Sequence, residues 1–187
     1  MRRTLLARRD AFTRSPDVDA ARDALVRHLV ETVRGLAPRC LGLYAAMGSE
    51  SNASPPLLAD ARGTSRRFAL PSARRADRRM DYRLWDGSPT TAVDDFGIAT
   101  ASGERVVPDH VLAPCIGFTP DGYRLGHGGG FFDRWLADHP DVVAIGVAWS
   151  FAELGPGDYA PEPHDVPLAC VVTEHGVVGR RRTPEGG

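Results

Sequence analysis

The sequence predicts a single-domain α/β fold with a mostly parallel sheet and helices on both faces. Three observations predict it. The apolar runs CLGLYAAM (40–47), HVLAPCIGF (110–118) and VVAIGVAW (142–149) are continuous rather than alternating, as in strands buried on both sides. Segments of helical periodicity separate these runs. The middle run leads through a glycine-rich turn into a helical segment, and such sheets bind ligands at the C-terminal ends of their strands. A chain of 187 residues suits one domain with a sizeable core. That domain is expected over residues 1–179, followed by a flexible tail at 180–187.

Residues 2–14 are amphipathic and basic. Ser15-Pro16-Asp17 reads as an N-cap, a proline at the first helical position and an acidic first turn. Val18, Ala21, Leu25, Leu29, Val33 and Leu36 follow at helical spacing, which predicts a helix over 16–36 that Gly35 and Pro38 end. His28 falls within this pattern as a packed or surface histidine. GSESNASPP (48–56) is a loop, PPLLADAR suggests a short helix, and RRFALP (66–71) a second strand. SARRADRR (72–79) reads as a solvated basic turn. MDYRLW (80–85) alternates like a strand, and residues 86–110 are turn-rich. GFFDRWLADH (130–139) predicts a helix, 153–167 a proline-rich loop, and 168–178 a last strand or a hairpin around His175-Gly176.

Composition narrows the chemistry. The 23 basic and 24 acidic residues leave a formal charge of −1, which gives no electrostatic case for nucleic acid as a partner. All the basic residues are arginine. Without lysine there is no Schiff base and no pyridoxal phosphate chemistry, and the lysine-bearing P-loop signature is excluded. Cys40, Cys115 and Cys170 lie far apart in apolar runs and read as buried reduced thiols. The arginine-rich N-terminus lacks the apolar stretch of a signal peptide, and no run of 18 apolar residues occurs. A cytoplasmic protein without a membrane partner, and a monomer, is expected.

The segment TPDGYRLGHGGGFFDRWL (119–136) carries the most chemistry. Gly126, Gly128, Gly129 and Gly130 leave backbone N–H groups free to turn toward an anion, and the helix that follows adds its own N–H groups and positive dipole end. Arg124 can add a charge-assisted hydrogen bond. Asp133 lies in the first helical turn. It either complements the helix dipole or, beside a triphosphate, serves as one of the carboxylates that hold magnesium.

RLGHGGGFFDR (124–134) resembles the signature of the 5-formyltetrahydrofolate cyclo-ligase family. The resemblance extends to LYAAMGSESNASPPLL (43–58), ALPSARRADRRMDYRLW and EPHDVPLACVVTEHGVV, so it covers nearly the whole chain. It implies the three-layer architecture shared with sugar-phosphate isomerases and CoA transferases. It also implies two small-molecule substrates, ATP and 5-formyltetrahydrofolate, with Mg²⁺ as the cofactor. The implied ATP contacts are Arg2, Arg124, Leu125, Gly126, His127, Gly128, Gly129, Gly130, Phe131 and Phe132. The implied folate contacts are Ala45, Glu50, His127, Gly128, Gly129, Gly130 and Phe131, and the implied metal ligands are Asp133 and Asp165. By the residues alone, Glu50 is a solvated loop carboxylate and Asp165 an Asx-turn residue. His127 is a candidate proton carrier.

The chain departs from the family pattern in three places. Phe131 and Phe132 stand where paired tyrosines are frequent. Ala169 stands where a second acidic residue often follows the metal-binding Asp. Arg2 matches the arginine of an N-terminal Lys–Arg pair whose lysine would fall before Met1. Either the chain is truncated, which we expect, or Arg3 or another arginine substitutes. The implied reaction is phosphorylation of the formyl oxygen followed by ring closure. A non-catalytic folate- or nucleotide-binding relative is the competing reading. An isomerase would want a lysine or paired acid–base groups, which the sequence does not offer.

Overall fold

The computed structural model describes residues 1–163 and 165–179. Its elements, in chain order, are α1 (Arg2–Phe12), α2 (Val18–Leu36), β1 (Cys40–Gly42), α3 (Ser54–Asp60), β2 (Arg67–Ala73), β3 (Met80–Trp85), β4 (Arg105–Val106), β5 (His110–Pro114), β6 (Gly117–Phe118), β7 (Arg124–Leu125), α4 (Phe131–Asp138), β8 (Val143–Val147), β9 (Cys170–Thr173) and β10 (Gly176–Val178). A single 3-10 turn, Ser150–Ala152, follows β8. The expected tail at 180–187 lies outside the described residues.

The main sheet runs β10-β9-β8-β5-β1-β2-β3-β4. Its centre, β9 to β2, is parallel, and antiparallel β10, β3 and β4 close the two sides. Successive side chains of a strand point to opposite faces, and the core divides accordingly. Leu41, Phe68, Leu70, Leu112, Ile145 and Val172 pack with Leu25, Leu29 and Val33 of α2 and Leu57 of α3. Cys40, Ala69, Val111, Ala113, Ala144 and Val171 pack on the other face with Trp135 and Leu136 of α4. The sheet is therefore covered on both faces, as the continuous apolar runs predict.

Several local expectations shift. Helix α2 begins at Val18 with Asp17 at the N-cap; the Ser15 hydroxyl is buried without a partner, because residues 15–18 form a turn that joins α1 to α2. The left-handed residue ending α2 is Ala37 rather than a glycine. His28 is a packed histidine, its Nδ1 3.0 Å from the Thr173 carbonyl. The run 40–47 pairs as a strand only to Gly42, after which the chain leaves the sheet. The run 110–118 splits at Pro114: β5 stays in the main sheet, and Gly117–Phe118 pairs with β7 in a separate hairpin. All three cysteines are free and buried, as expected.

Gly42 explains how tightly β1 is packed. A methyl there would sit 2.7 Å from Tyr82 Cε1 and 2.8 Å from Val111 Cγ1. Gly42→Ala is expected to cost about 1–3 kcal/mol through overpacking, lowering the thermal midpoint by about 2–12 °C. An unchanged melt would show that Tyr82 and Val111 yield freely.

Candidate functional site

From β1 the chain turns to one side to build β2, then returns on the other side as β5. The connections leaving these neighbouring parallel strands therefore diverge, and a crevice opens at their C-terminal ends. The loop after β1 and the segments after β5 and β8 meet there around a small cavity lined by Arg9, Tyr44, Glu50, Cys115, Val147 and Trp149. Glu50 is held by a local turn: its N–H donates to Met47 O at 3.1 Å, and Met47 N–H donates to Glu50 Oε2 at 2.9 Å. The side chain is only 2% exposed, so Glu50 is not the solvated carboxylate that its residue context suggests. Ala45 is half-buried in the same loop. Tyr44 donates its hydroxyl to Ser51 O at 2.7 Å. Burial raises the Tyr44 phenol and pushes the Cys115 thiol up to about 12, so neither supplies an anionic nucleophile near neutral pH.

The β6–β7 hairpin delivers the glycine loop to the same crevice. Gly128 and Gly130 adopt φ of 93° and 63°, and Gly130 is the N-cap of α4. Leu125 anchors the loop in a cluster with Ile116, Leu154 and Leu5 of α1. Arg2 donates from Nε to Gly126 O at 2.7 Å, and His127 Nε2 lies 2.9 Å from Glu50 Oε1. Arg134 donates from Nη2 to the carbonyls of Gly129 and Arg78, both at 2.8 Å. The basic segment 72–79 is thus docked on the loop through Arg78 and is not simply a solvated turn. Phe131 meets Phe96 edge-on at 5.2 Å, and the Arg124 guanidinium lies 5.2 Å from the Phe132 ring centroid.

The structure places Arg124 and Asp133 together rather than leaving each free for a ligand. Arg124 Nη2 donates to Asp133 Oδ1 at 2.7 Å, with side chains 5% and 14% exposed. Arg124 Nε is buried without a partner. Asp165 accepts from the Tyr159 hydroxyl at 2.6 Å and from the Glu162 N–H at 2.8 Å. Burial raises the Tyr159 pKa, and the Asp165 hydrogen bond and the charges of Asp165 and Asp133 raise it further. No group of three or more His, Cys, Asp or Glu is gathered as a metal cage among the described residues. Magnesium usually takes only one or two carboxylates and fills its octahedron with phosphate oxygens and water. Asp133 and Asp165 are carboxylates of the kind that donor set uses, each already hydrogen-bonded within the chain.

Sequence reasoning missed Arg9, Tyr44, Trp149 and Tyr159. For Arg9 a signal exists. Arg2, Leu5, Arg9 and Phe12 follow a helical stripe of about 3.6 residues per turn, and each makes a contact across the crevice. Phe12 packs on Trp149 at 4.9 Å and on Phe151 at 5.3 Å. Arg9 Nε donates to Ser49 Oγ at 3.1 Å.

The 5-formyltetrahydrofolate cyclo-ligase family model matches residues 1–174. A curated 5-formyltetrahydrofolate cyclo-ligase of Mycoplasma pneumoniae is 39% identical over 67 residues, a match spanning 35% of this chain and 39% of that protein's length. Two solved structures share the fold. A 5,10-methenyltetrahydrofolate synthetase from Mycoplasma pneumoniae superposes with a TM-score of 0.72 at 20% identity, over 92% of this chain and 96% of its own. That of Aquifex aeolicus gives 0.73 at 25% identity, over 100% of this chain and 93% of its own. Among the described residues no helix is long and apolar enough to cross a membrane. With its sheet, glycine loop and signature all in place, the chain belongs to the 5-formyltetrahydrofolate cyclo-ligase family.

Proposed function

We propose that this chain closes 5-formyltetrahydrofolate to 5,10-methenyltetrahydrofolate, consuming ATP with Mg²⁺. The observation that supports this best is the convergence of the glycine loop and the Glu50 loop, His127 Nε2 lying 2.9 Å from Glu50 Oε1. A nucleotide on the first loop and a pterin on the second would then be neighbours, as transfer between them requires.

In this reading the formyl oxygen attacks the γ-phosphate and ADP leaves. N10 then attacks the activated formyl carbon, phosphate departs with the former formyl oxygen, and the N10 proton is released to that phosphate or to solvent. No side-chain nucleophile is needed, in keeping with a raised Cys115 thiol. The chain's work is positioning and charge neutralisation. Free N–H groups of the loop from Gly126 to Gly130 and of the first turn of α4 bind the phosphates, with Arg2 beside them. Arg124 holds Asp133 in place. Glu50 accepts hydrogen bonds from the pterin in place of the one from His127. Asp133 and Asp165 would hold Mg²⁺, which would supply charge neutralisation on the phosphates. All these residues come from one chain, so the proposal needs no partner subunit.

The test is to incubate the protein with 5-formyltetrahydrofolate, Mg²⁺ and ATP and to follow the methenyl product and ADP, expected in equal amounts. Binding of both ligands without either product would mark a non-catalytic relative. Glu50→Gln removes charge but keeps shape. It is expected to raise KM for the folate about 10- to 100-fold, the worth of a charge-assisted hydrogen bond, with much less change for ATP. Equal effects on both substrates would remove Glu50 from the pterin site.

A further inference from the structure

Arg9 is the buried cation of this crevice that neither the glycine signature nor the departures from it explain. It is 7% exposed, although it lies on the N-terminal helix, far in sequence from the Glu50 carboxylate it meets. Its Nη1 stands 3.6 Å from Glu50 Oε1, and its Nε donates to Ser49 Oγ at 3.1 Å. Ser49 donates in turn to Asp10, the next residue on α1. The helix therefore grips the tip of the Glu50 loop at two consecutive residues, and Arg9 lines the cavity beside Tyr44 and Trp149.

We propose that Arg9 is the positioning residue for Glu50: it fixes the carboxylate's orientation and neutralises its charge while the folate is absent and while it is bound. The inference rests on the reading of Glu50 as the pterin contact. Among the described residues, Glu50 meets three groups: the Met47 N–H, Arg9 and His127. The Met47 bond belongs to the loop's own turn. His127 lies on the glycine loop and is 42% exposed, so a ligand can displace it. Only Arg9 comes from outside both ligand loops, and it reaches Glu50 from the buried side. An arginine fork suits this double duty, because its planar donors address Glu50 and Ser49 at once, which a lysine ammonium does less well.

The experiment is equilibrium binding of 5-formyltetrahydrofolate in the absence of ATP, read by quenching of tryptophan fluorescence, since Trp149 lines the cavity, together with KM for each substrate. Arg9→Met keeps the apolar stem and removes the fork. It is expected to weaken folate binding about tenfold or more, leave KM for ATP within about twofold, and melt as a folded protein. Arg9→Lys restores the charge and is expected to recover part of the affinity. The deciding measurement is the double variant Arg9→Met/Glu50→Gln. If Arg9 acts through Glu50, the pair binds folate no worse than about twofold below Glu50→Gln alone. Multiplying losses, or equal losses in ATP and folate, would overturn the proposal. Glu50→Gln with normal folate affinity overturns it together with the Glu50 reading, and a wild-type protein that does not bind 5-formyltetrahydrofolate overturns the functional reading as well.

Discussion

Asp133→Asn is expected to lower turnover at limiting Mg²⁺ by about 100-fold, the upper end of what one charge-assisted contact is worth. It is also expected to destabilise the protein. Asp133 is the counterion of Arg124, whose side chain is 5% exposed. Asparagine keeps an acceptor for the guanidinium but removes the charge, leaving a buried cation uncompensated. The cost is roughly 1–3 kcal/mol, less than for complete removal of a partner from a buried pair, and it lowers the melting midpoint by about 2–12 °C. Arg124→Met/Asp133→Asn separates the two effects. Removing both charges should recover stability, because the desolvation cost of Arg124 disappears. Turnover should stay low, because no carboxylate returns. If Asp133→Asn keeps wild-type turnover at limiting Mg²⁺ while its melt falls, Asp133 serves Arg124 alone.

Gly128→Ala is expected to raise KM for ATP about 10- to 100-fold. At φ of 93° an alanine is strained, at a cost of roughly 1–3 kcal/mol for a residue held in such a region. The added methyl would sit 3.4 Å from Arg2 Nη1. The loop can relieve the strain only by turning its backbone, which redirects the N–H groups proposed to bind phosphate. Gly63→Ala is the matched control, since Gly63 has φ of 80° with nothing within 4 Å of an added methyl. It lies in the loop between α3 and β2, away from the crevice. Both variants should lose stability, and only Gly128→Ala should lose ATP affinity. Identical KM values in the two would reduce the glycine to a turn residue.

Much of this molecule follows from local patterns. The apolar runs announce a sheet buried on both faces because period-two side chains need two cores, and Leu41 and Cys40 do enter different ones. The glycine cluster announces its own loop, because Gly128 and Gly130 have φ values that other residues avoid. Pro55 and Pro56 in the first turn of α3 mark a helix start that can be read directly. Family resemblance then brings Glu50, Arg2 and Asp165 to attention as candidates, which spacing alone would leave as loop residues.

Tertiary structure decided who meets whom. Strand order is set by which connection packs on which face, and no local pattern encodes it; the crevice between β1 and β5 exists only because the chain returns on the opposite side. Pro114 ends one strand, and the chain beyond it joins a separate hairpin, so a single apolar run serves two sheets. Arg124 was free to address a phosphate in the sequence, yet the hairpin and helix bring Asp133 to 2.7 Å from it, where two buried charges need one another. Glu50 was a polar loop residue until α1 was laid across the crevice, because a buried carboxylate requires partners that its own segment supplies only in part. The sequence by itself determined the fold class and the glycine loop that leads into α4. Only packing of the first helix over that loop decided that Arg2, Arg9 and His127 belong to one site, because such contacts join residues as far apart as 124 positions.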